Sequence, residues 1–503
     1  MSYAALELRH RKLSHLAHIE AIAGWDEATM MPEGGGDARA EALATLRVLM
    51  HAETTAPDLA DLYAAAEQEA SQGKLDSWQL ANLREMKRSW VRETCLPPDL
   101  VRASSRADSR SEQAWRKLRP ANDWQTFLPL LTEVVARKRE VAQALAAKLG
   151  LSSYDCLLDG YEPGGRSATI AALFADLREF LPPFIRAVGE RQKLVQTLVP
   201  SGPFPVERQH WLGLQLMKAV GFDFKHGRLD VSHHPFCGGV PQDVRITTRY
   251  SEADFMRSLL GVLHETGHAK YEQSLPQRWL EQPVSRARSM SVHESQSLFQ
   301  EMQVSRGREF VGFAAPAIRE AFPDAVAREP EAFSVENLAL LWTRVRPSFI
   351  RVDADEATYP CHVIVRFEIE QRLIEGRLQV ADIPEAWDGA MQELLGLSTR
   401  DNYKDGCMQD VHWPAGLFGY FPTYTLGALL AAQLFEAARQ AMPDLPSRIR
   451  AGDFEPLNAW LREHVWSQGS LHETDALVVN ATGRPLGTAA FKAHLQRRYL
   501  DEA

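Results

Sequence analysis

Apolar residues recur at intervals of three and four along most of the chain, with charged residues between them. This spacing places the apolar side chains on one face of an α-helix. The segments that show it are rich in Ala, Leu, Glu, Arg and Gln, which favour helix. The pattern predicts helices over residues 1–22, 39–50, 56–72, 76–95, 126–149, 166–199 and 207–220.

The segment from Arg228 to Tyr250 departs from the helical pattern. Two short stretches there are rich in residues that favour β-strands, and Gly238-Gly239 lies between them. Such runs separated by a glycine pair are typical of a hairpin, so the segment predicts a small sheet within a helical protein. No long linker interrupts the chain. We therefore expect one large, mainly α-helical domain over residues 1–503.

The composition is that of an ordinary globular protein. Of 503 residues, 45% are hydrophobic and 24% are charged, which excludes a mostly disordered, collagen-like or disulfide-scaffold chain. The net charge of −10 argues against a nucleic-acid partner, because nonspecific binding needs clustered positive charge. No uncharged apolar run reaches the roughly 18 residues of a membrane span, and the first residues lack the apolar core of a signal peptide.

The five cysteines are widely scattered and form no C-x-x-C pair. A structural zinc knuckle and a thioredoxin-like redox site are therefore not expected. Free thiols in a reducing compartment are the simplest interpretation of this pattern. We accordingly expect a cytoplasmic protein.

A metal-binding pattern follows the predicted sheet. Residues 251–254 form a capping-box-like helix start, and the helix leads into His264-Glu265-Thr266-Gly267-His268. Histidines four residues apart lie one turn apart on the same helix face, so both imidazoles can bind one Zn²⁺. Glu265 lies beside them, where its carboxylate can take a proton from water activated by the metal. The alternative is a pair of histidines packed on a partly apolar helix.

A catalytic zinc site needs a third protein ligand and an open position for water. Metzincins take this ligand six residues after the second histidine, following a glycine, but Tyr271 and Ser274 occupy those positions here and exclude that class. Glu272 lies about 12 Å along the helix axis from the first histidine, too far to share its metal. A second predicted helix carries His293 and Glu294. By spacing alone either could complete the site, and Glu294 is the preferred choice.

Six short motifs follow one another along nearly the whole chain: His234-Pro235-Phe236, Asp243 to Thr247, His264 to His268, His293 to Gln296, Ile350 to Asp355, and Gly406 to Trp413. In this order and composition they closely resemble the motifs of the carboxypeptidase Taq family of thermostable metallocarboxypeptidases. One small departure is visible, because a proline commonly follows the Ala-Asp of the fifth motif and Glu356 stands there in this chain.

This resemblance implies a mostly α-helical fold with a deep central groove, and a homodimer. It also implies removal of single residues from the free C-termini of peptides with broad specificity, using one Zn²⁺ per chain or sometimes Co²⁺. Glu294 rather than His293 is then the third metal ligand beside His264 and His268. Glu265 accepts the proton of the attacking water and returns it to the leaving amine.

Further residues are candidates for contacts with the substrate. The resemblance points to Arg351 as the group that binds the α-carboxylate, because a guanidinium presents a planar fork to it. Asp353 and Asp355 could hold Arg351 in place, or they could be solvated. Arg245 is a second choice for the same role, although an ion pair with Asp243 is the more plausible arrangement for it.

The oxyanion of the tetrahedral intermediate needs a donor besides the metal, and Tyr420 and His412 are the candidates. Each could instead be a packed side chain of the groove. His234 could line the groove near the metal or stabilise its loop. Asp410 is our choice for the carboxylate that orients a metal-binding histidine, and Glu301 is interpreted as a surface carboxylate.

Other functions compatible with the zinc motif remain open at this stage. A zinc oligopeptidase, endopeptidase or aminopeptidase on a similar helical scaffold would use the same metal chemistry. The discriminating feature is the group that binds the peptide terminus, and Arg351 favours the C-terminus. An inactive homologue that only binds peptides is a further alternative, although every expected metal and base residue is present. If the protein were only a helical scaffold without catalytic activity, the His-Glu patterns would be present by coincidence.

Overall fold

A computed structural model describes residues 2–501, and within them the chain folds mainly into α-helices, as the sequence predicts. The helices are α1 (Ser2–Thr29), α2 (Gly36–Thr54), α3 (Leu59–Ser71), α4 (Ser77–Thr94), α5 (Pro98–Leu118), α6 (Trp124–Leu149), α7 (Ser153–Leu158), α8 (Ser167–Gln192), α9 (Val206–Ala219), α10 (Phe255–Gln273), α11 (Met290–Leu298), α12 (Arg308–Ala321), α13 (Pro323–Arg328), α14 (Val335–Trp342), α15 (Tyr359–Ile374), α16 (Ile383–Leu395), α17 (Pro422–Ala441), α18 (Leu445–Ala451), α19 (Glu455–His464), α20 (Thr474–Thr482) and α21 (Ala489–Gln496).

The predicted helices are present, with one shortened. α1 is longer than expected, and Met1 lies outside the described residues. The helix predicted over 166–199 is wrong at its end, since α8 stops at Gln192. The apolar residues that would continue its pattern find no surface to pack on, and Leu194 is 87% exposed. Because helices in proteins are stabilised mostly by packing, apolar spacing without a neighbour does not extend the helix.

The small sheet has three strands: β1 (Gly227–Val231), β2 (Cys237–Val240) and β3 (Asp243–Thr248). β3 lies in the middle, parallel to β1 and antiparallel to β2. The predicted Gly-Gly turn is wrong, because Gly238 and Gly239 belong to β2 and the turn follows them. Gly239 adopts φ +90°, and a Cβ there would lie 2.0 Å from the carbonyl oxygen of Asp243. The glycine therefore allows a close approach of strands rather than a chain reversal.

Two large hydrophobic cores support the fold, and α17 contributes to both. Leu426 and Leu429 pack in the core that α6, α8, α15 and α16 also form. Leu430 and Leu434 on the same helix pack in the core that contains α9, α10 and α12. A helix buried on two faces in this way joins the two cores.

A deep groove of about 2850 Å³ opens into the molecule, as the resemblance implies. Its walls include α1, α5, α10, α11 and the loop segments 232–242, 350–354 and 409–412. The sheet packs against α10 through β3, which places it beside the helix with the paired histidines. Across residues 2–501, no helix is both long enough and apolar enough to span a bilayer.

Candidate active site

Asp254 is the N-cap residue of α10. Its carboxylate accepts hydrogen bonds from the backbone N–H groups of Met256 and Arg257 and so caps the helix. Phe255, Leu259 and Leu263 bury one face of α10 in the hydrophobic core. The histidines of the following turn lie on the face that lines the groove.

His264 and His268 on this face form a compact cluster with Glu294 of α11. Each offers one ligand atom, and these atoms all lie within 4.8 Å of one another. The Nε2 atom of His268 lies 3.5 Å from the Oε2 atom of Glu294. Two imidazoles and one carboxylate are a ligand set that catalytic zinc sites use. Glu294 rather than His293 is therefore the residue that the fold brings to both histidines.

A glycine that our sequence analysis did not single out explains how α11 reaches α10. A Cβ on Gly267 would lie 2.4 Å from the carbonyl oxygen of Gln296, so only glycine lets the two helices touch there. On the other side of α11, a Cβ on Gly427 would lie 2.8 Å from the side chain of Glu294. Glu294 is thus confined between α10 and α17.

The environment of His264 also suits a metal ligand. Its Nδ1 atom lies 2.9 Å from Glu301, whose other oxygen accepts a hydrogen bond of 2.7 Å from Arg306. This contact leaves Nε2 directed at the cluster, the arrangement by which carboxylates orient metal-binding histidines. The Nδ1 atom of His268 is buried without a partner among the described residues. The three possible ligands, together with the hydrogen bond between His264 and Glu301, fit a bound cation.

Two expectations about the surrounding carboxylates were wrong. Glu301 is buried rather than on the surface, because it lies in a π-helical turn, Phe299–Ser305, that continues α11. Asp410 does not orient a histidine of the cluster but pairs with Arg351 in the groove wall and with the buried Arg366. A π-helical turn changes which residues face inward, and α-helical spacing does not predict it.

We expect Glu301→Gln to lower the affinity for Zn²⁺ by roughly 10–100-fold, because the substitution removes the charge that orients His264. Titration of the metal-free protein in competition with a chelator measures this change. Glu320→Gln, on the exposed end of α12, is the control and should leave affinity unchanged. An unchanged affinity in Glu301→Gln would show that the contact does not support metal binding.

The pKa values of the two clustered histidines are shifted in opposite directions. Burial lowers the pKa of His264, but its hydrogen bond to Glu301 and the charge of Glu294 raise it overall to about 10. Burial lowers the pKa of His268 to about 4, with a contribution from His293. Burial also raises the pKa of Glu265 to about 7, although the charge of His264 opposes this shift. A carboxylate titrating near neutrality suits a group that accepts and returns a proton.

Arg351 lies in the wall of the groove and is 5% exposed. Its guanidinium donates to Asp410 through Nε and Nη2, at 3.1 and 2.9 Å, and to the hydroxyl of Tyr359 at 2.9 Å. The charge centre also lies 4.9 Å from the ring centroid of Tyr424, a cation–π contact. Arg351 is therefore held rigidly on several sides.

Asp353 and Asp355, which could have held Arg351, have other partners. Asp353 pairs with Arg257, and Asp355 accepts hydrogen bonds from backbone N–H groups such as that of Thr358 at 3.0 Å. Asp410 takes their place and also accepts a hydrogen bond of 2.7 Å from Arg366. Burial alone would raise the pKa of Asp410, but the two arginines hold it well below its usual range.

His412 and Tyr420 both line the groove, half-buried and with their rings 5.4 Å apart. The Nε2 atom of His412 lies 3.1 Å from the hydroxyl of Tyr424. Burial lowers the pKa of His412 to about 3, so the ring is neutral near pH 7. His234 is exposed in the groove wall.

The remaining candidates have structural partners. Arg245 donates to both oxygens of Asp243, at 2.8 and 2.7 Å, which is the ion pair that we expected as the more plausible arrangement. The Nε2 atom of His293 lies 2.8 Å from Glu272, and its ring centroid lies 4.5 Å from that of His268. His293 thus packs beside the cluster.

Comparison with known proteins agrees with this geometry. A family model described as carboxypeptidase Taq (M32) metallopeptidase matches residues 5–499. The chain belongs to this family. It is therefore a metallocarboxypeptidase, a peptide hydrolase, and the family predicted from the motifs is confirmed.

Relatives of known name or structure extend over almost all of the chain. The chain is 39% identical to thermostable carboxypeptidase 1 of Thermus thermophilus over 497 residues, 97% of this chain and 96% of that protein. Metallocarboxypeptidase 1 of Trypanosoma cruzi superposes with a TM-score of 0.97 at 44% identity, covering 99% of both chains. An M32 carboxypeptidase of Deinococcus radiodurans gives 0.93 at 33% identity, covering 99% of this chain and 98% of that one.

Proposed function

We propose that this member of the family is a zinc-dependent carboxypeptidase that removes single amino acids from peptide C-termini with broad specificity. The observation that carries the proposal is that the His264–His268–Glu294 cluster and Arg351 line the same groove. A cation site in the same groove as a group that binds carboxylates is the combination that a carboxypeptidase needs.

The three residues of the cluster would hold one Zn²⁺ per chain, with Co²⁺ as a possible substitute. When bound, the metal supplies a Lewis acid that polarises the scissile carbonyl and makes water acidic. Glu265 follows His264 directly on α10, and its carboxylate lines the groove. In our proposal it removes a proton from the attacking water and then delivers it to the leaving amine.

Arg351 would bind the α-carboxylate of the substrate. A guanidinium has five N–H donors, and Asp410 and Tyr359 occupy three of them, so two remain for the substrate. Tyr420 and neutral His412 would donate hydrogen bonds to the oxyanion of the tetrahedral intermediate, or help to orient the peptide. His234, exposed in the groove wall, would also contact the peptide.

A zinc oligopeptidase or endopeptidase is the alternative, and an inactive peptide-binding homologue is a weaker one. We expect Zn²⁺-loaded protein to shorten N-blocked peptides stepwise from a free C-terminus and to leave C-terminally amidated peptides intact. Mass spectrometry of the products over time measures this. Internal cleavage, or equal cleavage of the amides, would favour an endopeptidase, and a folded, metal-loaded protein without cleavage would favour a binding scaffold.

Four further parts of the proposal rest on the resemblance or on composition. We propose that residues 1–503 act as one catalytic domain and that the protein is a homodimer, as the family resemblance implies. The free cysteines are consistent with a reducing compartment, so we propose the cytoplasm. The partners would be peptides with a free C-terminus, and no nucleic acid is expected.

A further inference from the structure

Arg286 is a charged side chain of the groove that the proposed mechanism does not use. It is exposed, and it lines the same groove as the metal cluster. Within residues 2–501, its guanidinium makes no hydrogen bond or ion pair. The surrounding walls lower the pKa of Arg286, and the charge of Glu272 opposes this. Neither shift prevents the guanidinium from being charged near neutral pH.

The backbone that carries Arg286 is fixed on both sides. Its N–H donates to the carbonyl of Pro283, and its own carbonyl accepts a hydrogen bond of 3.0 Å from Ser470. Two residues on, the buried Arg288 pairs with Glu85 at 2.6 Å. An unpaired cation projecting from a rigid segment is already positioned for an anion, because the backbone does not need to be ordered on binding.

The position of Arg286 along the groove follows from α10. Arg257, in the first turn of α10, pairs with Asp353, two residues after Arg351. Glu272, in the last turn, lies about 6 Å beyond His268 along the helix axis. The segment that carries Arg286 is held at this end of α10, because the backbone N–H of Arg288 donates a hydrogen bond of 3.3 Å to the hydroxyl of Tyr271. Along α10, the two histidines of the cluster therefore lie between the contact with the loop that carries Arg351 and the contact with the segment that carries Arg286.

A bound peptide would pass these points in order. With its C-terminal carboxylate at Arg351 and its scissile bond at the cluster, the residues upstream of that bond would extend toward the last turn of α10. An extended chain advances about 3.3 Å per residue, so 6 Å corresponds to about two residues. The guanidinium of Arg286 would then face a side chain two or three residues upstream.

We infer that Arg286 forms a subsite for an acidic side chain, Asp or Glu, two or three residues upstream of the bond that is cleaved. This inference rests on the proposed carboxypeptidase function and names a class of peptides that the enzyme would prefer. A guanidinium and a carboxylate form charge-assisted hydrogen bonds, and in a groove the pair is partly shielded from water.

The test uses Zn²⁺-loaded full-length protein and N-blocked peptides that carry Glu, Gln or Lys at either upstream position. Release of the C-terminal residue gives kcat/KM for each peptide. We expect wild-type protein to prefer Glu over Gln by roughly 5-fold at one of the two positions. Arg286→Gln should bring this ratio close to one, and Arg286→Glu should instead prefer Lys. Arg249→Gln, at an exposed arginine elsewhere in the groove lining, is the matched control and should keep the ratio.

Equal cleavage of the Glu and Gln peptides by wild-type protein would overturn the inference while leaving the carboxypeptidase function intact. A preference that survives in Arg286→Gln would also overturn it, as would an equal loss in Arg249→Gln, which would indicate a general attraction of the groove for acidic peptides. If no peptide is cleaved by folded, metal-loaded protein, the proposed function itself fails, and the two failures are thus distinguishable.

Discussion

Glu265→Gln is expected to reduce the rate of peptide hydrolysis by roughly 10²–10⁴-fold, the contribution typical of general acid–base catalysis. Glutamine has nearly the same shape but accepts no proton at neutral pH. Because Glu265 is not one of the three clustered ligands, the variant should still bind one Zn²⁺ per chain. Steady-state release of the C-terminal residue, together with metal analysis of the same sample, measures both properties.

The matched control for this substitution is Glu112→Gln, which removes a carboxylate on α5 that also lines the groove. This control should retain activity. Wild-type kcat in Glu265→Gln would contradict the role of Glu265 as the proton acceptor. Loss of both metal and activity would also contradict our account, because Glu265 would then act in metal binding rather than in proton transfer.

Asp410→Asn is expected to lower the free energy of unfolding by about 3–5 kcal/mol at pH 7, the range for removing one partner of a buried ion pair. Asp410 is the shared partner of Arg351 and Arg366, and the side chain of Arg366 is fully buried. Without the carboxylate, two arginine charges remain close together with no compensating anion. Urea unfolding of the metal-free proteins measures the difference.

The pH dependence of this difference has a definite sign. The pKa of Asp410 is depressed in the folded protein, so its carboxylate contributes stability fully above the unfolded pKa of about 4. That contribution is lost as the pH falls toward the folded pKa, so the gap between wild type and variant should shrink below about pH 4. Asp453→Asn, which breaks an exposed pair with Arg448, is the control, with an expected loss below about 1 kcal/mol. A similar small loss in Asp410→Asn would contradict the structural role of Asp410.

The helix with the paired histidines is the part of the site that the sequence predicted best. Local spacing is sufficient there, because two histidines one turn apart share a helix face whatever surrounds the helix. The third residue of the cluster comes from another helix, and spacing alone left His293 and Glu294 as alternatives. The structure brings Glu294 to the histidines through the close contact at Gly267, a packing detail that no single helix pattern reveals.

The supporting carboxylates were the least predictable part. Glu301 contacts His264 from a π-helical turn, which α-helical spacing does not predict, and Asp410 meets Arg351 across a separation of 59 residues. The small sheet was predicted correctly, but the position of its turn was not. Gly238-Gly239 indicated a turn, whereas the strand pairing uses the room that Gly239 leaves beside Asp243. Such contacts depend on tertiary packing, and the periodicity of apolar residues does not predict them.

The most direct test of the central claim is a titration of metal-free protein with Zn²⁺. Two quantities are measured in the same samples: the bound metal and the release of the C-terminal residue from one N-blocked peptide. The account predicts that activity rises in proportion to bound metal and saturates at one ion per chain, and that Glu294→Gln binds the ion more weakly and needs more Zn²⁺ for any given activity. Full activity of the metal-free protein, or one tightly bound ion in Glu294→Gln with wild-type activity, would contradict a metal centre at His264, His268 and Glu294.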